Sequence, residues 1–588
     1  MVFVRNYGSR EGRRGIIGTA AVVIALLATT LAAAPAPAAS SCSSPPAVFP
    51  EDQIRPGMTG TGLTAVQGST PVSFDIRIIG TMPDAIAPGY DLIFFEITGP
   101  QSFLDQSHGF AAGMSGSPVY IQGRLAGATS YKYIPSDPAI GLFTPAQKMV
   151  DLLSYANASA LSMPDSVPVA KAAREEIARA AGLPASQAPR FAQRLDIPLG
   201  VTGVSDRRLR DLQDLLDKKG LPFVVYRAGA SGDATTPNPT PLRPGQPLSA
   251  VLSYGDIAYF GTGTTTFSCG NLDVGWGHPF FYAGPVTFGM NNASIVTVLN
   301  DPSGLFGSTK IAALAETHGS ITQDRLAGIV GEAGPPPDAM PVITTFTNTD
   351  NGHSRTAETD IVYQKDFWGS EIAASHVFTN LQLVFDAYSS GTSSISYTIE
   401  GQTAEGVPFT VDNRNMLYSD YDATSAAYKM VDALYQLAFN RFEKVTFTSV
   451  HATGEITQQR LEGTITRVRT ASSLQPKLAQ RSLLKVRPGD RITIETTLTP
   501  IGGGRNVVTT MQMKVPSWAS GFDTVMVRGG KGGSGFSMPV RSFDQLIARL
   551  SGGEHPNDLV ASGFGAESSR AVDLIVKGKV FVTVQVVR

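Results

Sequence analysis

Cysteine is almost missing from this chain: Cys42 and Cys269 are the only two among 588 residues. Histidine is sparse as well, with seven, and no Cys/His cluster shows the spacing of metal ligands, so no metal is implied. No organic cofactor is implied either, because the Gly-rich loops lack the Lys or helix context of a phosphate cradle. The two thiols either pair, in an oxidising compartment, or stay separate. Charged residues make up only 16% with a formal net charge of −2, and no basic stripe runs along the chain, so nucleic acid is not an expected partner. So low a charge content also argues against a coiled coil or bulk disorder. After the N-terminus no apolar stretch is long enough to span a bilayer, and a soluble product with no stable membrane span is expected.

What the chain does have is glycine (60), proline (39) and 42% hydrophobic residues. That mixture suits a turn-rich, mainly β protein with many short strands. The length allows three or four domains and several full cores, without a disulfide or metal staple.

Arg5, Arg10, Arg13 and Arg14 precede a nearly continuous apolar run from Ile16 to Leu31, which ends in Ala34-Pro35-Ala36-Pro37-Ala38-Ala39. A basic start, an apolar middle and small residues at a cleavage point predict a signal peptide over 1–39. The run is short for a retained anchor and has no stop-transfer flank. Its removal takes four Arg and one Glu, so the formal charge moves from −2 to −5. Export places the product in the periplasm, cell envelope or extracellular space.

Residues 40–52 read as a Ser/Pro-rich linker. From Gly57 to about Pro145 the pattern is β, as in Val72 to Ile79 and Leu92 to Ile97, each run closed by Gly or Pro. Val119 to Tyr131 predicts a hairpin turning at Gln122-Gly123-Arg124. A helical insertion follows at about 146–220: Ala146 to Tyr155, Lys171 to Ala181, and Ser205 to Lys219 with a Ser cap and Gly220 as its stop. Residues 229–246 predict an exposed loop. Strands resume at Leu248, and Gly334-Pro335-Pro336-Pro337 marks a boundary. The region 346–588 predicts one or two β-sandwich-like modules, one helix at about Ala423 to Phe442, and a closing strand Val576 to Val587.

Chemistry concentrates at Gly113-Met114-Ser115-Gly116-Ser117-Pro118. Attack on a peptide carbonyl needs a hydroxyl on a tight turn, with backbone N–H groups aimed at the developing oxyanion. Here Ser115 is the candidate nucleophile, and the N–H groups of Gly113 and Ser115 are the candidate oxyanion hole. Gly116 clears space beside the attacking oxygen, and Pro118 opens the next strand. Ser117 reads as structural.

The stretch Gly109 to Ala128 resembles the signature of the SpoIVB-type serine peptidases, named after the stage IV sporulation protein B. Pro56-Gly57-Met58-Thr59-Gly60-Thr61-Gly62-Leu63-Thr64 is similar to the opening of that domain. Gly261-Thr262-Gly263-Thr264-Thr265-Thr266, followed by Gly275-Trp276-Gly277-His278-Pro279-Phe280, resembles the segment with the family's catalytic His. Gly319 to Gly331 resembles a further block. The likeness spans about residues 50–345 and implies a trypsin-like double β-barrel peptidase domain over 53–345, acting on a protein or peptide. Two departures stand out. His278 follows Ser115 by 163 residues, whereas the sporulation protease has its His segment first, so the blocks look permuted. The family's acid, shortly before the Ser loop, corresponds to Thr98-Gly99-Pro100 here and is missing.

His278 alone of the seven sits in a dense Gly/aromatic hairpin, which suits a shielded, fixed general base. His108 lies nearer the serine but outside expected reach. For the third member, Asp273 and Asp324 are the candidates, with Asp105 and Asp91 weighed and none standing out; a Ser–His dyad is the alternative. The resemblance therefore implies an exported serine endopeptidase of narrow specificity, acting on itself or on a partner in signalling or envelope processing. The rival is an inactive peptidase fold used for binding or assembly, favoured by the missing acid and the large β-rich C-terminal region. An esterase elbow is absent, since Ser117 stands where Gly is required.

Overall fold

The computed structural model describes residues 42–132, 137–157, 166–168, 191–230, 234–301, 307–531 and 539–587. The predicted signal peptide and the predicted helix Lys171 to Ala181 lie outside the described residues.

The first β region closes on itself. Strands β1 (Thr59–Thr64), β2 (Val72–Ala87) and β3 (Tyr90–Gly99) form a meander. The two-residue β4 (Ala111–Ala112) stands apart from it, while β5 (Pro118–Ile121), β6 (Arg124–Lys132) and β7 (Ile140–Pro145) complete the set. Pairings run β1–β2–β3–β7–β6–β5 and back to β1, all antiparallel, which makes a six-stranded barrel. The run Leu92-Ile93-Phe94-Phe95 is apolar without alternation because both faces of β3 are covered. Ile93 and Phe95 join Phe74, Ile76 and Phe143 in one core, while Leu92 and Phe94 join Met82, Ile140 and Leu142 in another. Burying each such side chain contributes about 1.5–3 kcal/mol. The predicted hairpin turn has Gln122 and Gly123 at φ 50° and 71°, the paired positive values that a type I′ hairpin turn requires.

Beyond β8 (Ser166–Pro168) and β9 (Phe191–Arg194), which pair onto the edge at β6, come β10 (Ile197–Val201), β11 (Phe223–Arg227) and β12 (Gly229–Ala230). The helix between β10 and β11 covers Asp206–Lys218, with the Ser205 hydroxyl accepting from Arg208 N–H at 3.4 Å, as its sequence cap predicts. A second circuit follows, built from β13 (Pro247–Gly255), β14 (Tyr259–Cys269), β15 (Leu272–Gly275), β16 (Gly284–Leu299), β17 (Ser308–Arg325) and β18 (Gly328–Ala333). Its order, β13–β14–β15–β18–β17–β16 and back to β13, closes another antiparallel barrel. The loop 229–246 is less exposed than its composition predicts: Leu242 is buried, and Pro237 bridges to Thr317 on β17.

Cys42 and Cys269 form a disulfide, with Cα atoms 5.0 Å apart, which settles the open alternative. Residues just after Cys42 run beside β6, where Leu125 N–H donates to Ala47 O at 2.9 Å and Phe49 N–H to Leu125 O at 2.8 Å.

The Gly-Pro run at 334–337 separates β18 from β19 (Met340–Asn348), and position 345/346 falls inside that strand. β19 and β20 (Ser354–Ile361) extend the second barrel's sheet through Ser253↔Ile361, and three further strands (Gly391–Thr403, Pro408–Ser419, Val445–Thr457) continue it. Two helices lie in the core formed against this extension. One is shorter than predicted: a 3-10 turn Ala423–Ala427 leads into an α-helix Tyr428–Ala438. The other, Trp368–Phe385, was not predicted at all. It is buried nearly all round, from Trp368 to Phe385, so it carries no amphipathic period. Residues from about Glu462 to Val586 form a four-stranded and a five-stranded sheet sharing one core that includes Ile494, Met513, Val527 and Val584, a β-sandwich as expected. The predicted closing strand divides at Gly578 into Ile575–Lys577 and Lys579–Val586. Among the described residues no helix is long and apolar enough to cross a membrane.

Candidate active site

The serine turn is built by its own backbone and then clamped by strands from both barrels. Met114 N–H donates to Ala111 O at 3.0 Å and Ser117 N–H to Met114 O at 2.9 Å. The Ser117 hydroxyl also donates to Met114 O, at 2.6 Å, so it closes the turn. Gly113 and Gly116 both sit at φ +93°, a conformation L side chains rarely adopt. At Gly116 a Cβ would stand 1.9 Å from Thr264 O and 2.3 Å from Trp276 N, so no larger residue fits without displacing backbone.

The clamp comes from β6 and β14. Gly116 N–H donates to Thr129 O at 2.7 Å, and Thr264 N–H donates to Ser115 O at 2.7 Å. The Thr264 hydroxyl donates to Gly113 O at 3.0 Å and the Thr266 hydroxyl to Gly116 O at 2.7 Å. Ser115 N–H takes part in none of these bonds, and Gly113 N–H lies one residue beyond the last pairing of β4, Ala112↔Thr309.

The histidine arrives from the second barrel. After β15 the chain passes through Trp276 and Gly277, at φ 74° and 67°, and leans on the first barrel, where the Thr144 hydroxyl donates to Gly277 O at 2.6 Å. Trp276 Nε1–H donates to Leu248 O at 3.0 Å. This places His278 Nε2 at 2.7 Å from Ser115 Oγ, across 163 residues of chain. His278 Nδ1 lies 2.8 Å from Pro279 O. A carbonyl oxygen only accepts, so Nδ1 carries the hydrogen; in the neutral ring Nε2 is then left as acceptor for the serine hydroxyl. Both side chains are enclosed, with Ser115 3% and His278 0% exposed. The Tyr131 and Trp276 rings meet the imidazole edge-on, with centroids at 6.3 and 6.2 Å.

The candidate acids separate clearly. Asp324, on β17, accepts the backbone N–H groups of Phe280 and Phe281 at 2.7 Å each and of Ala283 at 3.2 Å. It thus binds the turn that carries Pro279, whose carbonyl faces the imidazole. Asp273 points elsewhere: its carboxyl group lies 3.1 Å from Leu242 N–H through either oxygen and 2.5 Å from the Ser268 hydroxyl. Burial pushes Asp273 up to about 7, with the Ser268 and Leu242 bonds opposing. Asp105 is bonded by Gln101 and Asp91 by the N–H of Asp84, both exposed contacts. His108 is the left-handed cap of a helix, Gln101–Ser107, that interrupts the β pattern expected from Gly57 to about Pro145.

Three residues escaped the sequence reading. Thr264 and Thr266 looked like ordinary β-branched strand residues, yet their hydroxyls hold the serine turn. Lys310 is buried at 1% exposure, and its stem passes the turn: a Cβ on Gly113 would lie 3.1 Å from Lys310 Cβ and Cδ. A lone lysine in a strand gives no hint of this.

A serine turn and a histidine loop meeting where two six-stranded antiparallel barrels touch define a peptidase fold of the trypsin-like class, followed by a β-rich C-terminal region. Residues 25–150 match the family of the SpoIVB peptidase S55, which supports a serine peptidase of SpoIVB type. The match contains Ser115 and ends before His278. No curated protein and no solved structure matches the chain.

Proposed function

We propose that the protein is an exported serine endopeptidase of narrow specificity in which Ser115 attacks and His278 is the general base. The observation that carries this reading is the 2.7 Å contact between Ser115 Oγ and His278 Nε2. As Ser115 Oγ adds to the substrate carbonyl carbon, its proton passes to Nε2, and the carbonyl oxygen becomes the oxyanion facing the N–H groups of Gly113 and Ser115. Collapse of that intermediate breaks the C–N bond, and the imidazolium returns the proton to the leaving amine. Water repeats the cycle on the acyl-enzyme and frees the acid.

The imidazole is oriented by the Pro279 carbonyl. Asp324 acts one step further out, holding that turn in place through Phe280, Phe281 and Ala283. Enclosure of both side chains supports narrow specificity and a self-processing or partner-processing role over general digestion. Export is supported by the N-terminal pattern and by the Cys42–Cys269 disulfide, which suits an oxidising compartment. The same enclosure favours the second reading, an inactive fold used for binding.

Labelling with a fluorophosphonate probe tests both. Covalent labelling of the wild type, lost in Ser115→Ala and in His278→Ala, is the expected result. A folded wild type that takes no label would transfer the case to the binding reading.

A further inference from the structure

Lys310 is the buried ionisable group for which the proposed chemistry has no use. It lies on β17 directly after the residues that pair with β4, in the register Ser308↔Ala111 and Thr309↔Ala112, so its backbone stands beside Gly113. Its stem packs against Gly113, with Cβ, Cγ and Cδ all within 3.3 Å of where a Cβ on that glycine would be. Its amine donates to the hydroxyl of Thr64, on β1, at 2.7 Å, and Thr64 is itself fully buried. Among the described residues no carboxylate pairs with the amine, and burial alone pushes it down to about 7. A lysine kept inside a barrel without a counter-charge costs stability, and an apolar residue of the same length would fill the space without that cost.

We propose that Lys310 is a positioning residue of the peptidase centre, fixing the Gly113 peptide of the oxyanion turn between β17 and β1 and placing positive charge beside the anion formed there. The inference rests on the reading of Ser115 as nucleophile. The stem sets the height of the Gly113 peptide over β17, and the Thr64 bond stops the stem from swinging away. Two of the elements involved, β1 and the serine turn, belong to the first barrel region, while β17 belongs to the second. Lys310 is therefore a further tie between the barrels at the site, beside the threonine clamp and the Thr144–Gly277 bond. In surroundings that exclude water, an ammonium close to the turn favours the charged intermediate over the neutral ground state.

The test is fluorophosphonate labelling kinetics at pH 7, resolved into the maximal rate and the half-saturating probe concentration, for wild type, Lys310→Met and Thr64→Val. Lys310→Met keeps the stem and removes the amine; Thr64→Val keeps the volume and removes the amine's partner. Both are expected to lower the maximal rate, Lys310→Met by about ten- to a hundredfold, with half-saturation and circular dichroism unchanged and Lys310→Met melting no lower than the wild type. A packing role alone would move melting and leave the maximal rate. Folded variants that label at the wild-type maximal rate overturn the inference while the peptidase reading stands. A wild type that takes no label overturns both. Should Lys310→Met not fold, Thr64→Val decides alone.

Discussion

Asp324→Asn changes one oxygen to an amide nitrogen at the residue that binds the turn after His278. The carboxylate accepts three backbone N–H groups, from Phe280, Phe281 and Ala283, at 2.7, 2.7 and 3.2 Å. An asparagine offers them a single oxygen and turns its own N–H2 toward at least one donor. Hydrogen bonds to a charged group contribute about 1.5–3 kcal/mol each, so losing one or two is expected to cost about 1.5–6 kcal/mol of stability. The chemical effect is separate. The Pro279 carbonyl, which keeps hydrogen on Nδ1, shifts with the turn, and a displacement near 1 Å at a reacting group costs on the order of a hundredfold in rate. Labelling by a fluorophosphonate should therefore fall about ten- to a hundredfold, at a denaturant concentration where the variant is fully folded. Asp273→Asn is the matched control, since that carboxyl group serves Leu242 and Ser268 and not the His278 turn. It should label within about twofold of wild type, the range left when reacting groups stay in place. Wild-type labelling in folded Asp324→Asn, or a larger loss in Asp273→Asn, would refute the reasoning.

Two further outcomes are expected. Burial holds Asp273 at about 7 in the folded chain, against about 3.9 for an unfolded aspartate, so the folded state keeps a proton that the unfolded state loses. Stability should fall as pH rises from about 4 to about 7 and then level, by at most about 4 kcal/mol; denaturation midpoints across this range should show the fall, flattened in Asp273→Asn. Replacing Cys42 and Cys269 together by Ser should lower stability by about 2–4 kcal/mol, read as a lower melting temperature, with Ser115 still labelled.

The parts of the fold that were legible in the sequence are those whose physics is local. The serine turn is written in consecutive residues, because Gly113 and Gly116 each need a positive φ and Pro118 needs a strand start. The hairpin after it is equally local, as are the Ser205 cap and the Gly220 stop. His278 was legible by its neighbours, since only glycines and aromatics fold so tightly there. What failed was non-local. The helix Trp368–Phe385 is covered on nearly every side, so its sequence has no polar face to reveal a 3.6-residue period. Asp324 acts on main-chain N–H groups 41 to 44 residues away, and no side-chain spacing encodes that. Thr264, Thr266 and Lys310 are ordinary strand residues until the other barrel is brought against them.

The disulfide has a consequence for how processing of this chain would be seen. Cys42 and Cys269 close a loop spanning 227 positions that holds Ser115, and His278 lies nine residues past its end. A single cut anywhere inside that loop leaves one covalent molecule. The nicked protein would migrate close to intact chain on a non-reducing gel and part into two fragments only after a reductant is added. Maturation by an internal clip would thus be silent in size and visible only in redox, with both halves of the catalyst retained in one body.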